Sequence, residues 1–309
     1  MNYGVIIHYG LYSYYGYDDI SSAKRRNVQN GSEWYYGRLI DANTFRPISG
    51  QSFTKKYHET NFEGEDYFDN IDKIMNDEKT VREKVRMWIE KSGASYIILT
   101  SKHHDGLCLW DTKTTSRKSK VDICKIFSEE CKVKGIPFGF YYSWFEFDKS
   151  FTVDYFEKYC EPQLAELLKY NPKYLWFDGQ WKITQKSIKS KILMIVKDLV
   201  SKGILINDRI GGDDFSMCSY RVFSDRFIPT EKLDIKWQHV NTIGYSWGYN
   251  QEQKKEDYKK GKEIYDLYKK VNKLGGELLL NIGPMANGDI CPGELKVLQF
   301  MNLAKCFKK

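Results

Sequence analysis

Residues 153–208 read VDYFEKYCEPQLAELLKYNPKYLWFDGQWKITQKSIKSKILMIVKDLVSKGILIND, and their apolar pattern changes period three times. Apolar residues recur at helical spacing over 153–169, Asn171-Pro172 breaks the helix, and 174–177 is an apolar run of strand length. The helical period returns over 185–201 and stops at Lys202-Gly203, ahead of a second apolar run at 204–207. The same unit recurs on both sides. Val81, Val85, Trp88 and Ile89 mark a helix over 78–91 that ends at Ser92-Gly93, before a buried strand at 95–100. A helix over 122–134 stops at Gly135 and leads to a strand at 137–142. A helix over 252–274 stops at Gly275-Gly276 before a strand at 277–282, and 292–307 closes the chain as a helix. Residues 4–8 form a strand candidate, followed by a long polar and aromatic stretch to about residue 77.

Repeated strand–helix units with continuously apolar strands predict a parallel sheet covered by helices, the α/β class. Six or seven strands are legible, against the eight of a closed barrel. A doubly wound open sheet has the same alternation, so the placement of polar residues decides. His8, His103-His104, Tyr141-Tyr142, Asp178 and Asn207-Asp208 all stand at or just past the C-terminal end of a different strand. That convergence predicts an irregular (β/α)8-like TIM barrel, as one catalytic domain over residues 1–309. No Gly-rich phosphate loop follows the first strand, which counts against a dinucleotide-binding fold.

The composition bounds the function. The chain is 41% hydrophobic and 16% aromatic, with 8 Trp and 23 Tyr, enough to bury a large core. The +7 charge is spread along the sequence, where Lys254-Lys255 and Lys259-Lys260 alternate with Glu252, Glu256 and Asp257 as on a solvated helix face. It makes no basic stripe, so nucleic acid is not an expected partner. The seven Cys contain no CxxC pair and read as free, mostly buried thiols in a reducing compartment. The amino terminus runs directly into a strand without the marks of a signal peptide, and no apolar stretch has the length of a membrane span. The expectation is a cytoplasmic protein with no membrane partner.

Two segments carry chemistry. In Tyr174–Trp181, Asp178 ends an apolar strand, and strand alternation points Trp176 and Asp178 the same way, a ring and a carboxylate towards one cavity. A cap on the following turn explains the same Asp, and the segment alone does not separate the two. In Thr100–Gly106, His103 and His104 are adjacent. On a strand end they would face opposite sides, which disfavours joint ligation of one metal, and neutral imidazoles donate well to sugar hydroxyls.

Several stretches together resemble glycoside hydrolase family 29, the α-L-fucosidases. IHYGLYS from Ile7 is similar to the family's IHWGLYS, with Tyr9 in place of Trp. Glu33-Trp34-Tyr35, LTSKHHDGLCLWD from Leu99, FGFYYS from Phe138, LWFDG from Leu175, NDR from Asn207, TIGYSWGYN from Thr242 and GGELLLNIGP from Gly275 follow in family order. The likeness covers residues 4 to 305 and implies a retaining hydrolase that releases terminal α-L-fucose from fucosylated oligosaccharides or glycoconjugates, without metal or organic cofactor. It implies Asp178 as nucleophile, His8, Glu33, His103, His104 and Tyr141 as partners of the fucose hydroxyls, and Trp176 and Trp247 as pocket walls near the deoxy methyl group. Retaining enzymes hold a second carboxylate roughly 5–5.5 Å from the nucleophile. In the loop FSDRFIPTE from Phe223, Asp225 fits the spacing of the animal-like members and Glu231 is the second choice. The family's frequent Trp-Glu dipeptide is here Trp237-Gln238, which removes one candidate acid. The chain ends one helix past LLLNIGP, so the C-terminal β-sandwich of many relatives is not expected. The competing reading is a silent, lectin-like fucose-binding barrel, motivated by the lost Glu and opposed by the retention of Asp178 with the hydroxyl-binding set.

Overall fold

The structure, a computed structural model, describes residues 2–21, 31–42, 51–212 and 214–306. Seven parallel strands, β1 Gly4–Ile7, β2 Tyr96–Lys102, β3 Phe138–Ser143, β4 Tyr174–Asp178, β5 Leu205–Ile206, β6 Gln238–Thr242 and β7 Glu277–Ile282, lie in the order β5-β4-β3-β2-β1-β7-β6. The edges β5 and β6 do not pair directly. Between them runs a two-residue remnant of an eighth strand, with parallel bridges Asn207–Tyr220 on one side and Arg221–Trp237 on the other. Ser219 N donates to Ile206 O at 2.8 Å, Arg221 N to Lys236 O at 2.9 Å and Gln238 N to Arg221 O at 2.8 Å. These bonds bring the ring of strands to the eight positions of a (β/α)8 barrel.

Side-chain alternation shows the same closure. Ile6, Tyr96, Ile98, Tyr141, Trp176, Val222, Val240 and Leu279 pack together as the barrel interior, while their strand neighbours Val5, Ile7, Ile97, Leu99, Phe140, Tyr142, Leu175, Phe177, Leu278 and Leu280 belong to the layer beneath the helices. The eighth position contributes Val222 to this filling, so it works as a strand despite its length. At Gly4 the Tyr96 ring fills the place of a side chain, because an added Cβ would meet Tyr96 Cζ at 2.2 Å.

Six helices follow strands around the outside: Glu78–Ser92, Ile123–Val133, Glu161–Leu168, Lys186–Ser201, Gly261–Lys273 and Pro292–Cys306. The first buries Val81, Val85, Trp88 and Ile89, as its period predicts; Asp77 caps it through Thr80 N, and Gly93 ends it in the left-handed conformation.

Four features differ from the sequence reading. The helix predicted over 153–169 contains a π-helical turn, Phe156–Cys160, just before Pro162, whose missing N–H and ring do not fit an unbroken α-helix. The helix predicted from 252 begins at Gly261, because Lys259 leaves helical geometry to donate its N to Ile243 O and its Nζ to Thr242 O, at 2.9 and 2.7 Å. The strand β6 is missing from the apolar pattern because its sequence, QHVNT, is polar although fully buried. A helix, Gln51–Phe62, lies in the stretch read only as polar and aromatic. The last helix is described to Cys306; Phe307 lies outside the described residues.

All seven Cys are free. Among the described residues no helix is long and apolar enough to cross a membrane, and no group of three His, Cys, Asp or Glu side chains is placed to hold a metal ion.

Candidate active site

At the C-terminal end of the strands opens a cavity of about 610 Å³, lined by residues from seven of the eight barrel positions or the loops just beyond them, all but β7. All eight residues implied as nucleophile, hydroxyl partners and walls line it: His8, Glu33, His103, His104, Tyr141, Trp176, Asp178 and Trp247. Asp225 lines it too, whereas Glu231 is exposed and outside the lining.

Asp178 ends β4 and is 8% exposed. Gly179 follows at φ +81°, turning the chain so that Gln180 and Trp181 also reach the cavity. Tyr141 OH donates to Asp178 Oδ2 at 2.8 Å and Arg209 Nη1 to Oδ1 at 2.6 Å, while His104 Nε2 stands 3.5 Å from Oδ2. Burial pushes the Asp178 carboxyl up, but the Arg209 guanidinium, with the Tyr141 hydrogen bond, outweighs it and holds the group below the usual carboxylate range. The turn cap left open by the sequence does not account for this carboxylate, whose partners all come from other strands.

Arg209 connects the two candidate carboxylates. Its guanidinium reaches Asp178 with Nη1 and pairs with Asp225 through Nη2 while lying 4.7 Å from the Trp176 ring. Its carbonyl accepts from Trp144 Nε1 at 2.9 Å, which fixes the chain after β5. The site-residue reading of the sequence left Arg209 out, although Asn207-Asp208-Arg209 carried part of the resemblance.

The loop bearing Asp225 is strained and held from several sides. Phe223 and Arg226, on either side of Ser224-Asp225, both have φ +60°, a costly conformation for side chains of this size. Asp208 accepts from Val222 N at 2.9 Å and Arg221 Nε at 2.6 Å. Arg226 N donates to Val240 O at 3.1 Å, Arg226 Nη2 to Thr242 Oγ1 at 3.0 Å, and His239 Nδ1 to Phe227 O at 2.6 Å.

The histidines carry a tautomeric signal. Ser143 Oγ donates its only proton to Phe145 O at 2.7 Å, so the 2.6 Å contact with His104 requires Nδ1–H of His104 to donate. Asn281 Nδ2 donates to Trp247 O at 2.7 Å, so its Oδ1 accepts from His8 Nδ1 at 2.6 Å. In both neutral rings Nε2 then keeps its lone pair and is able to accept a proton from a hydroxyl, whereas the sequence reading took these imidazoles as donors. Burial pushes both down to about 4 against the pull of nearby acids, and pushes His103 well below its ordinary value. His103 and His104 both line the cavity, contrary to strict alternation. The register of β2 on β3 shifts between Thr100 and Lys102, and the strand ends at Lys102.

These histidine values have a definite sign. The unfolded chain takes up protons near 6.5 and the folded rings only near 4, so acidification through that window erodes the stability contributed at His8 and His104. NMR of ring-labelled histidine is expected to show both imidazoles neutral at pH 6 and titrating near 4. Inflections near 6.5 for these two rings would contradict the assignment.

Glu33 departs from a simple hydroxyl-binding role. Its Oε1 accepts from Gly31 N at 2.8 Å, and its Oε2 from Trp247 N at 3.2 Å and Gly248 N at 3.1 Å. Burial raises its carboxyl despite these bonds, and the bonds anchor the loop that presents Trp247. Gln238, in place of the family's Glu, is turned into the barrel, where Oε1 accepts from Trp176 Nε1 at 2.9 Å and Nε2 donates to Tyr96 OH at 2.8 Å. It supports Trp176 from below and is absent from the cavity lining.

Comparison with known proteins bears on the family and the fold. Residues 1–303 match the family model described as alpha-L-fucosidase. The alpha-L-fucosidase of Dictyostelium discoideum is 30% identical over 321 residues, covering 94% of this chain but only 65% of the relative's length. The crystal structure of Thermotoga maritima alpha-fucosidase superposes with a TM-score of 0.80 at 27% identity, covering 99% of this chain and 73% of that one. The same Thermotoga enzyme in complex with fucose gives 0.74 at 27% identity, with 99% and 72% coverage.

Proposed function

This chain belongs to the alpha-L-fucosidase family, and from that premise we propose that it hydrolyses terminal α-L-fucosides with retention of configuration, through a covalent fucosyl-enzyme on Asp178. The observation that carries the reading is a buried carboxylate kept ionised at a strand end, with a second carboxylate on the far side of one shared guanidinium. A single guanidinium touches both acids and so brings them to one pocket, as the carboxylate pair of a retaining enzyme must be. Fucose in complex with the Thermotoga structure supports the choice of sugar.

In the first step Asp178 attacks the anomeric carbon as the glycosidic bond breaks, and Asp225 gives its proton to the departing oxygen. Asp225 then takes a proton from water, which attacks the same carbon and releases fucose and Asp178. Arg209 and Tyr141 hold the nucleophile in place, and Arg209 moves its electrostatic support towards Asp225 as the Asp178 charge is consumed in the covalent bond. His8, His103 and His104, uncharged, and Tyr141 meet the sugar hydroxyls, with lone pairs at His8 and His104 Nε2 accepting from them. Glu33 contributes by fixing Trp247, which with Trp176 forms the wall for the deoxy methyl group.

The test is hydrolysis of an aryl α-L-fucoside followed by proton NMR. α-Fucose is expected to appear first and mutarotate later; β-fucose appearing first, or no phenol release by the full chain, would contradict the reading.

A further inference from the structure

Every residue of β6 is buried although its sequence, QHVNT, is polar. Burying such groups is costly unless each finds a partner. Gln238 finds one beneath Trp176. The partners of the rest of the strand lie mainly in the loop that carries Asp225.

That loop is a tight turn. Phe227 N donates to Ser224 O at 3.2 Å, which places Asp225 and Arg226 at the centre of a four-residue turn. Arg226, at its third position, has φ +60°, where glycine is the usual residue, so the turn depends on outside contacts to keep its shape. β6 supplies three. Val240 O accepts from Arg226 N at 3.1 Å, Thr242 Oγ1 from Arg226 Nη2 at 3.0 Å, and Phe227 O from His239 Nδ1 at 2.6 Å. The first is a backbone bond that any sequence can make. The third needs a buried side chain that donates.

The direction of the His239 bond is fixed. Phe227 O is a carbonyl and only accepts, so Nδ1 carries the ring proton. Asn241 Oδ1 accepts from Thr242 N at 2.8 Å, which turns Asn241 Nδ2 towards the ring, where it donates to His239 Nε2 at 3.0 Å. Burial pushes this imidazole below its ordinary value, in keeping with a single ring proton. Asn241 thereby selects the tautomer that can hold Phe227. His239 itself is 1% exposed and absent from the lining of the Asp178 cavity, so it acts only through the turn.

We propose that His239, oriented by Asn241, is a positioning residue for the proton donor: its Nδ1–H holds the closing residue of the turn Ser224–Phe227 and thereby keeps the Asp225 carboxyl at the leaving oxygen. The proposal rests on the fucosidase reading with Asp225 as its acid, and it gives the polar residues of β6 a part in catalysis.

The two amide replacements of a histidine test it. In His239→Asn the side-chain nitrogen stands near the place of Nδ1 and still donates to Phe227 O; in His239→Gln it stands near the place of Nε2 and does not. Full-length variants, wild type and Asp225→Ala are compared by kcat/KM, which reports the steps up to departure of the leaving group, on a fucosyl disaccharide and on a fucoside of an acidic phenol. His239→Gln is expected to lose roughly tenfold on the disaccharide and under about threefold on the aryl fucoside, a weaker copy of the Asp225→Ala pattern, while His239→Asn stays within about threefold of wild type on both. His239→Ala, which also lacks the donor, carries the same expectation as His239→Gln and replaces it should that variant not fold. Equal losses on both substrates, or Asn and Gln variants that lose alike on the disaccharide, would reduce His239 to a packing role and overturn the proposal while leaving Asp225 in place. Asp225→Ala without leaving-group dependence is a different result, which removes the donor assignment and the proposal with it. Wild type inactive on both substrates removes the fucosidase reading itself, and again the proposal with it.

Discussion

Asp178→Ala is expected to lower turnover of an aryl α-L-fucoside by at least about a thousandfold, and added azide to restore a measurable part of it. The expectation follows from the position of the carboxylate. It ends β4 and receives Tyr141 and Arg209 at 2.8 and 2.6 Å, an arrangement that keeps it charged and aims it into the cavity. Removing it leaves Arg209 and Tyr141 still directed at an anion-sized gap. Azide in that gap would attack the anomeric carbon once and leave as a β-fucosyl azide, with no second displacement to regenerate free fucose. Near wild-type turnover in the variant, or azide without effect and no azide adduct, would show that Asp178 is not the nucleophile.

Asp225→Ala should separate substrates by their leaving groups. General acid catalysis contributes about 10²–10⁴-fold where the leaving oxygen is basic and little where it is not. A fucosyl disaccharide is therefore expected to lose about a hundredfold or more in kcat, and a fucoside of an acidic phenol less than about tenfold. Glu231, exposed and away from the cavity, should change both substrates weakly and equally when replaced by Ala. If Glu231→Ala shows the leaving-group dependence and Asp225→Ala does not, the roles are exchanged. If neither shows it, the donor lies outside this loop, and the reading as a silent fucose-binding barrel gains ground.

Much of the barrel is legible in the sequence, because β1 to β4 and β7 are apolar runs between amphipathic helices and their ends carry the polar residues. What escapes is what local pattern does not encode. β6 is polar in sequence, with His239 and Asn241 bonded to each other at 3.0 Å, so burial there is satisfied by hydrogen bonds rather than by apolar side chains. The eighth strand amounts to Tyr220 and Arg221, recognisable only from the bridges they make to chain segments before and after them.

The candidate site divides in the same way. Residues in strand-end motifs, among them Asp178, Tyr141 and the histidines, could be named from sequence. Arg209 stood within a quoted motif, but its role depends on Asp225 being 16 residues further on and folded back against it. The lone-pair orientation of His8 and His104 depends on Asn281 and Ser143, one of them 273 residues away. Gln238, read as the loss of a candidate acid, lies beneath Trp176 and away from the cavity lining.

A 2-deoxy-2-fluoro fucoside with a good leaving group forms the covalent intermediate faster than it is hydrolysed, which makes the attachment point measurable. Mass spectrometry of the intact chain after incubation, followed by peptide mapping, is expected to find one fluorofucosyl group per chain, on Asp178 within YLWFDGQW. Steady turnover with no adduct, or an adduct on any other side chain, would contradict a double displacement through Asp178.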